Sequence, residues 1–199
     1  MITKYDKELD RILSANAGVI TSGEAQAVGA TRPAFSDYVR RRGLERVSRG
    51  VYAEPDTLPD EMALLQKRFP KAIFSHNSAL YLHDMTDREP MPLSVTVDSG
   101  YNASRLKSQG AQVHYVKPEW YNLGVTKVQT PDGSTVRAYD RERTICDLIR
   151  RRTNTDPAVF RQAIQSYARS KNKNLVRLSE YSKAMNIESR VREVMEVAL

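Results

Sequence analysis

The chain has 199 residues, enough for one large domain or two small ones, because domains cluster at roughly 100–150 residues. Hydrophobic residues make up 40% and charged residues 28% of the chain, a balance that argues against global disorder. Lysine and arginine outnumber aspartate and glutamate by 31 to 24, and the net charge of +7 favours a polyanionic partner such as nucleic acid.

We expect neither a targeting segment nor a membrane anchor. The first residues are charged and lack the apolar stretch of a signal peptide, and no segment approaches the roughly 18 apolar residues of a membrane helix. Cys146 is the only cysteine, which excludes an internal disulfide and a zinc site built from several cysteines. The sequence therefore predicts a cytoplasmic protein without membrane contact, cofactor or metal.

Two short helices are predicted first in the chain. Apolar residues recur at helical spacing within residues 4–15, and residues 16–18 are expected to end this helix. Residues 19–20 form a short apolar link. A second helix is expected from a cap at Thr21 or Ser22 to about residue 28.

A third helix and a hairpin follow. Thr31 can cap the helix, Pro33 is acceptable in its first turn, and Gly43 lies just beyond its end. Residues 44–48 and 51–53 are typical of two short strands joined by a tight turn. Three helices followed by a hairpin is the winged helix-turn-helix order, which we predict for residues 1–53.

The remainder is predicted to be a separate domain. Residues 54–60 carry two prolines and no apolar period, which indicates a linker, and residues 61–199 follow as a mixed α/β domain. Its expected elements are helices near 61–69 and 75–85, strands near 93–97, 113–116, 125–130 and 135–139, and a tail that is helical from 143 onward with breaks near 154–157, 171–174 and 186–188. The fold class is thus α+β.

The third helix has an apolar inner side and a basic outer side, as a helix that enters the major groove of DNA requires. Arg40 is the best candidate to contact a base, and Arg49 at the hairpin tip to contact phosphate. The full predicted interface is Thr31, Arg32, Pro33, Ser36, Asp37, Arg40, Arg41, Arg46 and Arg49. Alternatively, the arginines only complement the helix dipole, or the winged helix binds protein rather than DNA.

Short motifs along nearly the whole chain resemble the AbiEi family of bacterial antitoxins. They are Ile12-Leu13, residues 18–21, 38–40, 44–48, 49–52, 74–83, 92–97 and 140–148. The resemblance implies an abortive-infection antitoxin that represses its own operon through the winged helix. It further implies operator DNA with an inverted repeat, and a nucleotidyltransferase-like toxin that the second domain counteracts.

Two charged regions of the second domain are candidates for toxin contact. Asp140, Arg141, Arg143 and Asp147 form a polar edge that could face the toxin, although Arg143 and Asp147 are also spaced for an intrahelical ion pair. A second basic surface contains Arg161, Arg169, Lys171, Lys173 and Arg177, and it could contact toxin, RNA or DNA or be a solvated face.

No catalytic group can be named from the sequence. It contains no glycine-rich phosphate loop and no nucleophile elbow. His76 and His83 are two helical turns, or roughly 10.5 Å, apart, too far to bind one metal ion without bending. The alternative to an antitoxin is a protein- or nucleic-acid-modifying enzyme in residues 61–199 with a winged helix attached.

Overall fold

The computed structural model describes residues 4–57 and 60–198, which form an α+β protein of two compact units, Met1–Arg68 and Phe69–Leu199. Residues 58 and 59 of the predicted linker lie outside the described residues. None of the helices in the described ranges is long and apolar enough to cross a membrane.

Within residues 4–57 and 60–68, the first unit contains four helices and three strands, in the order α1 (Asp6–Ala15), β1 (Val19–Thr21), α2 (Ser22–Ala27), α3 (Arg32–Arg42), β2 (Glu45–Ser48), β3 (Val51–Ala53) and α4 (Glu61–Arg68). Thr21 caps α2 in a capping box with Glu24, since each side chain bonds the other residue's backbone N–H. Thr31 caps α3, and Gly43 ends it at a left-handed φ of 65°. These local signals confirm the predicted helices.

The sheet of this unit is antiparallel with strand order β1-β3-β2. Residues 19–20, predicted as a link, belong to a strand because Val19 pairs with Ala53 and Ile20 with Tyr52. Leu9 and Leu13 of α1 pack with Ile20, Phe35 and other apolar side chains in a core beneath the three helices.

Helix α4 belongs to the first unit, although the sequence placed residues 61–68 in the second domain. Leu64 packs against the cluster of Val19, Val51 and Ala53, and Lys67 forms an ion pair with Glu24. The division between units therefore falls after Arg68.

The second unit consists of a mixed sheet and a layer of helices. Its elements are β4 (Ile73–Phe74), α5 (His76–Leu82), β5 (Ser94–Asp98), α6 (Ser104–Lys107), β6 (Gln112–Val116), α7 (Pro118–Tyr121), β7 (Val125–Gln129), β8 (Thr135–Tyr139), α8 (Arg141–Arg150), α9 (Pro157–Arg169), α10 (Leu175–Ala184) and α11 (Glu188–Ala198). Strand order is β6-β5-β4-β8-β7, with β5–β6 and β4–β8 parallel and the other pairs antiparallel. The predicted strands and helical tail are confirmed, whereas β4, α6 and α7 were not predicted.

Helix α8 lies at the centre of the helical layer. Seven consecutive residues, 143–149, are each no more than 3% exposed. The core around them combines side chains of α5, α8, α9, α10 and α11, including Leu80, Ile145, Ile164, Leu178 and Val191. A helix surrounded in this way buries its polar side chains together with its apolar ones.

Candidate functional site

Helix α3 presents one exposed polar stripe. Arg32, Ser36 and Arg40 are exposed and spaced at i, i+4 and i+8, which places them on one face. Thr31 and Pro33 are exposed beside them at the N-terminal end. Phe35 and Tyr38 are buried on the opposite side, so the helix has the expected apolar inside.

The three arginines that end α3 have different partners. Arg40 forms an ion pair with Asp37, and its side chain remains 82% exposed. The guanidinium of Arg41 binds Asp6 of α1 at 2.7 Å and Asp37 at 2.8 Å, and these bonds raise its pKa. Arg41 therefore ties α3 to α1 through Asp6, and it is held more firmly than Arg40.

Arg42 also holds α3 against α1. It forms an ion pair with Asp10, which accepts a second hydrogen bond from the hydroxyl of Tyr38 at 2.7 Å. The hydrogen bond from Arg42 is the largest cause of the lowered pKa of Asp10. The local sequence shows no sign of these contacts, because Asp6 and Asp10 lie on α1 and are separated from α3 by β1 and α2.

The β2–β3 hairpin carries the remaining predicted DNA contacts. Arg46 and Arg49 are exposed, and Nε of Arg46 donates to the carbonyl of Ser48 at 3.4 Å. Gly50 adopts a φ of +76°, and a Cβ there would lie 2.7 Å from Oγ of Ser22. Glycine is thus required both by the turn and by the close approach of α2.

Two guanidinium groups of this interface have no partner among residues 4–57 and 60–198. The side chains of Arg32 and Arg49 form no hydrogen bond or ion pair within these ranges. Asp37, in contrast, is occupied by Arg40 and Arg41, and the hydrogen bond from Arg41 is the main cause of its lowered pKa. Of the predicted arginines, Arg32 and Arg49 are therefore the ones whose guanidinium groups are most available to an anionic partner.

The structure corrects the predicted antitoxin surface at Arg143 and Asp147, which are 0% and 1% exposed. Nε of Arg143 binds Oδ2 of Asp147 at 3.1 Å, the intrahelical pair that the sequence left as an alternative. The same guanidinium donates to the carbonyls of Trp120 and Leu123, and its carbon lies 4.2 Å from the ring centroid of Tyr139. These side chains hold the core together and cannot be presented to a partner.

Asp140 and Arg141 remain partly exposed. Asp140 caps α8 by accepting a hydrogen bond from the backbone N–H of Arg143 at 2.8 Å, and it also accepts one from the hydroxyl of Tyr181. Burial is the main reason that the pKa of Asp140 is raised. Arg141 donates to Oγ of Ser170 and to the carbonyl of His83. Of the predicted four-residue edge, only this end faces solvent.

The histidines have separate partners. His76 begins α5 with a φ of 49° and stacks on His114 of β6, whereas Nε2 of His83 donates to the carbonyl of Tyr139 at 2.7 Å. In the described ranges no three histidine, cysteine, aspartate or glutamate side chains form a group that could hold a metal ion. Cys146 is buried, and burial raises the pKa of its thiol to about 12, so it is unreactive near neutral pH.

The residues of the predicted second basic surface do not share one environment, because some are exposed to solvent and others have partners within the second unit. Arg161 and Lys171 are exposed, while Nζ of Lys173 donates to the carbonyl of Ser170. Arg177 lies 3.6 Å from Asp140, an ion pair that joins α10 to the start of α8. Arg169 lines a cleft of about 470 Å³ in the second unit.

That cleft brings together residues far apart in the sequence: His83, Asp84, Arg141, Gln162, Gln165, Ser166, Arg169 and Ser170. They come from the end of α5, the start of α8, and α9 with the residue after it. The sequence held no signal for this grouping, because no local spacing relates these segments.

No family model and no curated protein matches the chain. Among solved structures, the chain is similar to the RV2827C protein from Mycobacterium tuberculosis, with a TM-score of 0.57 and 13% sequence identity. The similarity covers 98% of this chain and 82% of that one. At this identity the similarity shows a shared fold for nearly the whole chain, and fold alone does not determine activity.

Proposed function

We propose that the first unit is a winged helix-turn-helix that binds duplex DNA and that the chain is an antitoxin of the AbiEi type which represses its own operon. The observation that carries the DNA-binding part is the exposed stripe of Arg32, Ser36 and Arg40 on α3, followed by the basic β2–β3 hairpin. The element order α1-β1-α2-α3-β2-β3 with sheet order β1-β3-β2 supports the winged-helix assignment.

In this proposal α3 is the recognition helix and the β2–β3 hairpin is the wing. Recognition helices contact base edges with their N-terminal residues, which favours Arg32 and Ser36 for bases. Arg40 lies two turns further along the same face, where it contacts a base or a phosphate after releasing Asp37. Arg46 and Arg49 of the wing contact the flanking backbone.

The assignment of toxin neutralisation to the second unit has two supports. Motifs at residues 74–83, 92–97 and 140–148 resemble AbiEi antitoxins, and a separate unit of this size exceeds what DNA binding requires. The neutralising surface is proposed to contain Asp140 and Arg141 together with exposed basic residues of α9, with the buried Arg143 and Asp147 left out.

A salt titration of DNA binding tests the first part. The full chain is titrated against DNA from upstream of its own coding sequence, and we expect log K to fall linearly as log salt concentration rises. The variant Arg32→Ala/Arg40→Ala should bind more weakly and with a smaller salt slope. Arg11→Ala is the matched control, because Arg11 is an exposed arginine of the same unit that pairs with Glu8 on α1. Salt-independent binding, or equal losses in both variants, would contradict the proposal.

Co-expression tests the second part. The chain is produced with the nucleotidyltransferase-like toxin proposed to share its operon, and cell growth and gel filtration are followed. Rescue with a stable complex indicates direct blocking, which buries on the order of 1,200–2,000 Å², whereas rescue without a complex indicates indirect neutralisation. Arg141→Glu should reduce rescue and leave DNA binding unchanged, while Arg192→Glu on α11 serves as the control. Absence of rescue by the wild-type chain would remove the antitoxin assignment while leaving DNA binding intact.

A further inference from the structure

The cleft in the second unit has the dimensions of a small-molecule site. Its volume of about 470 Å³ falls in the range of roughly 300–1,000 Å³ that ligand pockets occupy. Its lining consists entirely of polar and charged residues, from His83 and Asp84 just after α5 to Arg169 at the end of α9 and Ser170 just after it. Such a lining favours a ligand with many hydrogen-bonding groups over an apolar one.

Two arginines in the cleft have no counter-ion within the described part of the chain. No carboxylate of the described chain pairs with Arg141 or Arg169, although neighbouring Arg88 and Arg177 pair with Asp156 and Asp140. The side chain of Arg141 is also held in one orientation, because its guanidinium donates to Oγ of Ser170 at 3.0 Å and to the carbonyl of His83 at 3.3 Å. A partly buried, fixed and uncompensated guanidinium suits phosphate, which accepts paired hydrogen bonds from it.

The cleft also offers hydrogen-bond acceptors. Nε2 of His83 donates to the carbonyl of Tyr139, so Nδ1 of the neutral ring keeps its lone pair. Burial lowers the pKa of His83, so the ring stays neutral at neutral pH. Asp84 adds an exposed carboxylate at the rim, and no other side chain of the described residues pairs with it. A phosphate alone leaves these acceptors unused, whereas hydroxyl groups donate to them.

We propose that this cleft binds a phosphorylated, hydroxyl-bearing small molecule of the class of sugar phosphates and nucleoside monophosphates. Arg141 and Arg169 bind the phosphate, and His83 with Asp84 accepts hydrogen bonds from the sugar hydroxyls. Gln165, an exposed residue on the same face of α9 as Arg169, adds its side-chain amide to the polar lining of the cleft. The site lies within the second unit and does not depend on DNA binding by the first.

The test is an NMR titration of the full-length chain with ribose 5-phosphate, AMP, adenosine and inorganic phosphate. We expect saturable shifts of the amides of residues 83–84, 141 and 165–170 with ribose 5-phosphate and AMP. Inorganic phosphate should bind more weakly, and adenosine should not shift these amides. Equal affinity for inorganic phosphate would overturn the hydroxyl assignment, and binding of adenosine would overturn the phosphate assignment.

Single variants with a matched control test which side chains bind the phosphate and which bind the hydroxyl groups. Arg169→Gln, at an exposed position that does not stabilise the core, should weaken AMP binding about tenfold or more, because a charge-assisted bond is lost. Arg161→Gln is the control, an exposed arginine on the same helix outside the cleft lining. His83→Gln should weaken ribose 5-phosphate more than inorganic phosphate. Unchanged binding in Arg169→Gln overturns the proposal, as does a 5′-phosphorylated oligonucleotide that binds while AMP does not.

Discussion

The imidazole rings of His76 and His114 stack with their centroids 3.7 Å apart and their planes inclined by 22°. Nη1 of Arg151 donates to Nδ1 of His114 at 2.6 Å, and since arginine is only a donor, the proton of the neutral ring lies on Nε2. Nδ1 of His76 lies 3.0 Å from Oγ of Ser75, which accepts a hydrogen bond from Thr96. The stacked rings therefore lie in a polar cluster with Ser75, Thr96 and Arg151.

This pair makes the protein sensitive to acid. Burial, followed by the charges of Arg151, Arg150 and Arg143, lowers the pKa of His76 to about 3. Burial and the charge of His76 lower the pKa of His114 to about 3, against a small opposing effect of Asp147. The unfolded chain takes up these protons near pH 6.5, so the free energy of unfolding decreases as pH falls from there toward about 3.

The expected loss between about pH 6.5 and pH 5 is on the order of 2 kcal/mol per histidine. Urea denaturation at a series of pH values measures it. The double variant His76→Gln/His114→Gln removes both groups, and the part of the acid sensitivity that they cause should disappear. An acid slope identical in the variant and the wild-type chain would show that the pair is not responsible.

Replacing Asp147 by Ala should destabilise the second unit by about 3–5 kcal/mol, because Arg143 then remains buried without its counter-charge. Urea denaturation gives the change in free energy of unfolding. Glu188→Ala, which breaks an exposed pair with Arg192, is the control and should cost less than about 1 kcal/mol. Similar losses in the two variants would mean that the Arg143–Asp147 pair contributes no more than a surface pair.

Single variants should distinguish a base contact of Arg40 from a phosphate contact of Arg49. Arg40→Ala should cost about 1–3 kcal/mol on the preferred sequence if Arg40 contacts a base. Arg49→Ala should weaken binding to all sequences alike, as loss of a phosphate contact does. Fluorescence anisotropy with the preferred and a scrambled duplex measures both effects. If Arg40→Ala weakens both duplexes equally, Arg40 is a backbone contact.

Asp37→Asn should strengthen binding to DNA and steepen its salt dependence. The carboxylate of Asp37 forms ion pairs with Arg40 and Arg41. Replacing it by a neutral amide therefore leaves more positive charge on the α3 face to attract DNA phosphate. Anisotropy at two salt concentrations tests this, with Glu8→Gln as a control that removes an equal charge from the exposed pair on α1. An equal gain from both variants would show only a net-charge effect.

A fragment ending at Arg68 should be more stable than one ending at Ala53. The longer fragment keeps α4, whose Leu64 packs on Val19, Val51 and Ala53 and whose Lys67 pairs with Glu24. Thermal unfolding followed by circular dichroism compares the two fragments. Equal midpoints would support the predicted linker at residues 54–60 as the true boundary of the first unit.

Local signals in the sequence were enough to predict the bounds of α2 and α3 and the basic face of α3. Thr21, Thr31 and Gly43 act within one turn of their own positions, and local hydrogen bonds of this kind do not depend on distant residues. The stripe of Arg32, Ser36 and Arg40 likewise follows from the helical period alone. The spacing of Arg143 and Asp147 was sufficient to indicate their ion pair.

The surroundings of those residues depend on contacts between segments that are distant in the sequence. Residues 19–21 form a strand only because β3, 30 residues later, supplies the partner, and a three-residue segment has no period of its own. Arg41 joins α3 to α1 because it binds Asp6, 35 residues earlier in the chain. Arg143 and Asp147 are buried because the surrounding helices and the loop after α7 enclose α8, and the cleft exists because packing brings His83, Arg141 and Arg169 together. Exposure depends on which elements pack together, and that information is not contained in the local spacing of residues.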